Sequence, residues 1–215
     1  MNKKEHWDDI YSRKKFTEVT WFQPEPKMSL KLIRDLQLNE EARILDVGAG
    51  SSTLVDYLLE DGYHSIYLLD LSKNAFAQSQ ERLGVRSKSV TWLDGDICNF
   101  KFNQKFDIWH DRAVFHFLTQ PDDQDKYLKN LNDSLNVGAF FIISTFAEDG
   151  PLKCSGLDIV RYGKDKLVDK VGSNFELLDF QKEAHISPGG MEQKFNYWVF
   201  KKVKKNKISV NISGE

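Results

Sequence analysis

Cysteine is scarce in this chain: of 215 residues only Cys98 and Cys154 are thiols, and they show no Cys-x-x-Cys spacing. That excludes a disulfide-stapled fold and a cysteine-based metal or redox motif. Charge of one sign is not in excess either, since 30 basic against 32 acidic residues leave a net charge of −2. Such a balance argues against a dedicated nucleic-acid binder, whose affinity comes from a basic surface. Long hydrophobic runs are missing. Neither a membrane span nor a signal-peptide core can be read, and the start Met1-Asn2-Lys3-Lys4-Glu5-His6 leads into Trp7 and two aspartates. There is no internal repeat and no low-complexity stretch. Reduced thiols and the absence of an export signal lead to the expectation of a cytoplasmic protein with no membrane partner. What the chain does have is core material. Its 40% hydrophobic content, with fifteen Phe, seven Tyr and five Trp, excludes wholesale disorder. At roughly 150 residues per domain, the length favours one domain.

The pattern along the chain is strand, tight turn, helix, repeated. An aromatic-acidic opening, Trp7-Asp8-Asp9-Ile10-Tyr11, precedes the turn-forming Gln23-Pro24-Glu25-Pro26. Leu30, Ile33 and Leu36 then recur at three-residue steps, which predicts a helix with Ser29 as N-cap. Ile44 to Val47 reads as a buried strand, Gly48-Ala49-Gly50 as a tight turn, and Leu54, Tyr57 and Leu58 as one face of a helix stopped by Gly62. Further strands are expected at Ser65 to Leu71, Val90 to Leu93, Phe106 to Trp109 and Ala139 to Ser144. Helices are expected from Ser72 to Leu83, and from Pro121 through Tyr127, Leu131 and Leu135 to Gly138. Continuous apolar strands alternating with amphipathic helices indicate a parallel sheet covered on both faces. Phe175 to Phe180 and Lys194 to Val203 have only a loop containing Pro188-Gly189-Gly190 between them, so they should pair antiparallel. The expected fold is α/β: a doubly wound, mostly parallel seven-stranded sheet ending in an antiparallel hairpin.

The first turn carries the chemical signal. Ligands of open α/β sheets bind beyond the carboxyl ends of the strands. Glycine lets backbone approach a ligand, and the following helix offers unpaired N–H groups. A dinucleotide fingerprint would need glycine or alanine where Thr53 stands. The acid two residues before the first glycine, Asp46, suits instead a cofactor without phosphate and with a cationic ammonium, namely S-adenosylmethionine. Asp70 ends the second strand twenty residues after Gly50, where a carboxylate can accept hydrogen bonds from both ribose hydroxyls. Asp96 follows the third strand and can meet the adenine amino group, with Ile97 packing on the ring. Three acids at successive strand ends suit a cationic nucleoside and would repel a pyrophosphate.

These motifs resemble the class I S-adenosylmethionine-dependent methyltransferases over most of the chain. The first motif is Ile44-Leu45-Asp46-Val47-Gly48-Ala49-Gly50-Ser51-Ser52, with Ser52 where a third glycine is frequent. The acid after the second strand stands in Leu68-Leu69-Asp70-Leu71-Ser72, and the adenine-side motif is Gly95-Asp96-Ile97. Within the family the chain is similar to small bacterial members opening with Trp-Asp-x-x-Tyr. It is similar, more distantly, to eukaryotic lysine methyltransferases acting on an elongation factor or on citrate synthase. The resemblance implies S-adenosylmethionine as cofactor and S-adenosylhomocysteine as product. It implies a cofactor pocket lined by Trp7, Tyr11 and Trp21, with Arg112 beside it, and Ala49 and Leu71 join that set from the two motifs. It also implies one methyltransferase domain over 1–203, with an N-terminal helical cap (1–38), a cofactor-binding sheet (42–203) and a basic, flexible tail (204–215). No metal is called for.

Methyl transfer from a sulfonium is an in-line displacement that can rest on alignment and desolvation. An amine acceptor must lose a proton, which asks for a nearby base. His110, Asp111 and His116, following the fourth strand, are the candidates. The other reading of His116, between Phe115 and Phe117, is a packed histidine held by a backbone carbonyl. The acceptor itself stays open between a small metabolite and a protein lysine. Two other functions fit a similar sheet: a nicotinamide-dependent oxidoreductase, and a non-catalytic module that binds S-adenosylmethionine.

Overall fold

The computed structural model describes residues 2–204, so the expected tail lies, beyond Lys204, outside the described residues. Helix α1 (Lys3–Arg13) starts at Asn2, whose side chain accepts from the Glu5 amide while the Glu5 carboxylate accepts from the Asn2 amide. This reciprocal cap satisfies two amides that a helix start leaves unpaired. Helix α2 (Lys27–Asp35) begins directly after Pro26, and its Leu30, Leu32 and Ile33 are buried. Ser29 is therefore inside the helix and not its cap. Its hydroxyl lies 2.9 Å from His110 Nε2, a long-range partner that local sequence does not reveal.

Strand β1 (Arg43–Val47) leads through the glycine turn into α3 (Leu54–Glu60), then β2 (Ser65–Asp70). The Ser72 hydroxyl accepts from the Ala75 amide to cap α4 (Lys73–Leu83), and Gly84 ends that helix. Strands β3 (Val90–Asp94) and β4 (Phe106–Arg112) follow, then α5 (Pro121–Ser134) and β5 (Leu135–Phe146). A two-residue ladder, β6 (Lys153–Cys154) with β7 (Leu157–Asp158), leads to α6 (Lys164–Val171). Strands β8 (Phe175–Ile186) and β9 (Glu192–Lys202) close the chain as a long antiparallel hairpin.

The seven long strands form one sheet in the order β3-β2-β1-β4-β5-β9-β8, parallel up to β5 and antiparallel at β9 and β8. The order in which strands are added reverses between β1 and β4, and in such sheets the crevice at that switch point holds the ligand. Apolar side chains fill both faces. Ile44, Leu58, Ile108 and Tyr197 pack on the α2–α3 side, and Leu45, Trp109, Leu131 and Trp198 on the α5 side.

Several elements depart from the sequence expectation: β8 runs on from Phe180 to Ile186, and the β6–β7 ladder was not expected. Strand β4 continues past Trp109 because His110, Asp111 and Arg112 each find buried polar partners on other elements. Strand β5 begins at Leu135, with Gly138 inside it, and the register against β4 shifts between Phe106 and Ile108. Helix α6 was not expected; it buries Leu167 and Val171 and packs Val168 against the core, too short a repeat to stand out.

Candidate functional site

A cavity of about 940 Å³, counted to its open mouth, lies over the carboxyl ends of the parallel strands. Leu71, Asp96, Ile97, Leu118, Gly48 and Asp70 line it from the strand ends and the loops that follow them. Its roof is Trp7, Tyr11 and Trp21, from α1 and the segment before α2. The roof is a mutually supporting ring cluster. Trp7 meets Trp21 edge-on at 5.7 Å and Phe117 at 5.2 Å, and Tyr11 meets Trp21 at 6.1 Å.

The glycine turn is shaped by contacts from both sides. Gly48 has φ +63°, and a Cβ there would lie 2.0 Å from Val114 Cγ2. Gly50 has φ +53°, and a Cβ there would lie 2.4 Å from Tyr11 Oη. Both positions therefore demand glycine twice over, by backbone conformation and by space. The turn is pinned to β2, where the Leu69 carbonyl accepts from the Gly48 amide at 2.7 Å and the Ala49 amide at 3.1 Å.

Asp70 sits at the centre. Its Oδ2 accepts from the Gly50 amide at 2.8 Å and its Oδ1 from the Ser72 amide at 2.7 Å. Each carboxylate oxygen has a second lone-pair direction, so the group keeps acceptor capacity toward the cavity. Burial pushes its carboxyl up to about 6 against the pull of those amides. Burial, reinforced by the Asp70 charge, also raises the Tyr11 phenol above its ordinary range. Asp96 turns its Oδ1 to the Cys98 amide at 2.9 Å, so it forms the local turn as well as lining the cavity.

Asp46 lies on the other side of the glycine turn. It lines a second, smaller cavity with Ala49, Ser29 and His110, and the two cavities share Trp21, Gly48 and Arg112. Thr53, where a dinucleotide site would have its last glycine, donates its hydroxyl to the Gln23 carbonyl at 2.8 Å.

A known protein family matches residues 45–141. That stretch of the chain matches a "Methyltransferase domain". The chain is 24% identical over 206 residues to the EEF1A lysine methyltransferase 2 of Danio rerio, covering 89% of this chain and 82% of that one. It is 22% identical over 156 residues to the eEF1A lysine and N-terminal methyltransferase of Mus musculus, and that match covers 69% of this chain but 22% of the mouse protein. The chain thus spans about a fifth of that relative's length. The N-methyltransferase NodS from Bradyrhizobium japonicum, solved with S-adenosyl-l-homocysteine, superposes with a TM-score of 0.71 at 14% identity, over 93% of this chain and 100% of that one. At that identity the likeness is one of fold.

The three residues expected to act as bases are buried, and of them His110 alone lines a cavity, the smaller one. His110 is 2% exposed; its Nδ1 lies 2.7 Å from Asp46 Oδ1 and its Nε2 faces Ser29. Asp111 is fully buried, accepting from the amides of Val114 (2.8 Å) and Phe115 (3.1 Å) and from the Tyr127 hydroxyl (2.6 Å). Burial raises its carboxyl to about 6. His116, also fully buried, accepts at Nδ1 from the Phe146 amide at 3.4 Å, and burial together with the Arg112 charge lowers it to about 3. It is a packed histidine, though its ring nitrogen meets a backbone amide and not a carbonyl. None of the three lines the large cavity. The cause is the extension of β4, which carries His110 and Asp111 into the sheet.

The cavity is also lined by the connection after β5, from which the sequence leads one to expect specificity, and by Gln193 and Phe195, which the sequence did not single out. Phe146, Cys154, Gln193 and Phe195 line it on the Arg112 side, with Val114 against Gly48 and Phe117 against Trp7. Phe146 belongs to the end of β5, and Gln193 and Phe195 to the start of β9, far apart in sequence and adjacent only through strand pairing. No local pattern separates Gln193 from other polar hairpin residues.

Proposed function

We propose that this chain transfers the methyl group of S-adenosylmethionine to an acceptor seated at the Phe117–Phe195 end of the large cavity. The observation that carries the reading is Asp70, a half-buried carboxylate anchored to the Gly50 amide in an aromatic-roofed cavity at the switch point. When bound, the cofactor supplies a methyl group on a positively charged sulfur. Asp70 accepts from the ribose hydroxyls; Asp96, Ile97 and Leu71 hold the adenine end. Gly48, Ala49 and Gly50 bring backbone close to the methionyl portion, with Asp46 beneath. The faces of Trp7, Tyr11 and Trp21 suit a cation and keep water out. Arg112 stands between this set and the acceptor.

With His110, Asp111 and His116 enclosed, catalysis on this reading rests on alignment and desolvation and not on a side-chain base. The buried free thiols Cys98 and Cys154 support the cytoplasmic setting expected from the sequence. Among the described residues, no helix is long and apolar enough to cross a membrane.

Calorimetry with S-adenosylhomocysteine tests the reading, and absence of binding at millimolar ligand would sink it. The nicotinamide alternative is disfavoured by Thr53, which is tied to Gln23. A non-catalytic binding module predicts cofactor binding with no labelled methyl transfer to any acceptor in a lysate.

A further inference from the structure

Two polar atoms lining the cavity are buried without a partner: Arg112 Nη2 and Gln193 Oε1. The rest of the Arg112 guanidinium is committed. Its Nε donates to Tyr197 Oη at 3.1 Å, its Nη1 to the Trp21 carbonyl at 3.1 Å, and its centre lies 4.8 Å over the Phe195 ring. Gln193 is 5% exposed, two residues before Phe195 and so on the same face of β9. A buried donor and a buried acceptor left unpaired are costly, so a ligand that pairs with both is favoured in this cavity. The surface between them is apolar and largely aromatic: Val114, Phe117, Phe146, Cys154 and Phe195.

Charge at this end has one sign. The carboxylates lining the cavity are Asp70 and Asp96, both at the end already assigned to the cofactor. Glu183 is engaged by Tyr197 Oη at 2.8 Å and Gln23 Nε2 at 3.2 Å, and Glu148 by Asn196 Nδ2 at 2.9 Å; neither lines the cavity. The Arg112 field is felt by the neighbouring imidazoles, adding to burial in lowering both His116 and His185. An ammonium entering here would meet a guanidinium with no lining carboxylate near it.

We infer that the deep end of the cavity takes a small, flat acceptor, neutral or anionic, which gives an oxygen to Arg112 and a polar hydrogen to Gln193, and that it rejects a lysine ammonium. This rests on the methyltransferase reading above and narrows its acceptor to a small molecule. The rings of Phe117, Phe146 and Phe195 hold the flat body, and the two polar groups set its orientation.

The test uses the full chain saturated with S-adenosylhomocysteine, titrated with carbostyril, a flat neutral lactam, and separately with Nα-acetyl-lysine methylamide. Carbostyril should bind at least about tenfold more tightly than the lysine derivative. Gln193→Leu should weaken carbostyril about fivefold, the worth of one hydrogen bond, and leave S-adenosylhomocysteine affinity within about twofold. Gln193→Glu, which adds a carboxylate at this end, should narrow or reverse the preference. Equal or tighter binding of the lysine derivative by the unaltered chain overturns the proposal. So does binding of neither probe, or a carbostyril affinity indifferent to both substitutions. Failure of S-adenosylhomocysteine itself to bind would instead remove the underlying reading, so the two failures are distinguishable.

Discussion

On the proposed reading, Asp70 joins cofactor recognition to pH. Its carboxyl is raised from 3.8 to about 6, mainly by burial, so near pH 5 the empty site holds a proton there. Ribose hydroxyls donate to the ionised form, so binding must expel that proton. Affinity for S-adenosylhomocysteine is therefore expected to rise with pH up to about 6 and to level off above it. Asp70→Asn should abolish this dependence and weaken binding by about 1–3 kcal/mol. Calorimetry between pH 5 and pH 8 in buffers of differing ionisation heat reads both the affinity and the proton release. An affinity flat across that range would mean that Asp70 does not face the ribose. At the same scale, Gly48→Ala must adopt φ +63° and displace Val114 Cγ2, 2.0 Å from the new Cβ. The left-handed backbone alone costs about 1–2 kcal/mol. Urea unfolding should show that loss, plus a crowding penalty that Val114→Ala relieves; an unchanged midpoint would refute the argument.

Helix α1 supplies two of the three roof rings, yet Tyr11 is its only buried residue. Polar clasps from the neighbouring loops and α4 hold it. The Ser72 hydroxyl donates to Asp8 Oδ1 at 2.7 Å, Gln78 Nε2 to the Tyr11 carbonyl at 2.8 Å, and Lys4 reaches the Leu71 carbonyl. Lys3 pairs with Asp123 at 3.1 Å on an exposed rim, where salt screens such contacts. An element tied down this way opens more easily than the core. Asp8→Ala is therefore expected to raise amide exchange in α1 and speed S-adenosylhomocysteine release severalfold, with little change in global unfolding, since one hydrogen bond is worth about 1 kcal/mol. Hydrogen exchange and stopped-flow release measure the two effects. Exchange rising equally in β1 and β4 would show that α1 is part of the global unit and not a cap.

For the whole molecule, a ligand that binds the native state alone stabilises it by mass action. Saturation at about one hundred times the dissociation constant adds about 2.7 kcal/mol. For a domain of this size that is a melting shift of roughly 5–10 °C. Nicotinamide dinucleotide should give none, and a shift of similar size with it would reopen the oxidoreductase alternative. Labelled S-adenosylmethionine incubated with a lysate should place its label in the small-molecule fraction. Label found only in protein would favour the lysine acceptors named for the curated relatives.

The sequence alone determined the architecture, because burial on both faces of a strand leaves a continuous apolar run and helices repeat every three to four residues. It also singled out the strand ends on which the proposed cofactor site rests. Gly48, Gly50 and Asp70 act through backbone conformation and strand termini, which follow from local order along the chain. The partners of β4 were decided only by the tertiary structure. His110, Asp111 and His116 look available in the sequence, but Asp46, Tyr127 and Phe146 enclose them from other elements. The proposed acceptor end depends on tertiary structure in the same way: Arg112 and Gln193 are 81 residues apart in number and meet one cavity because β9 runs antiparallel beside β5. Contacts of that range depend on strand order and register, and no window along the chain contains them.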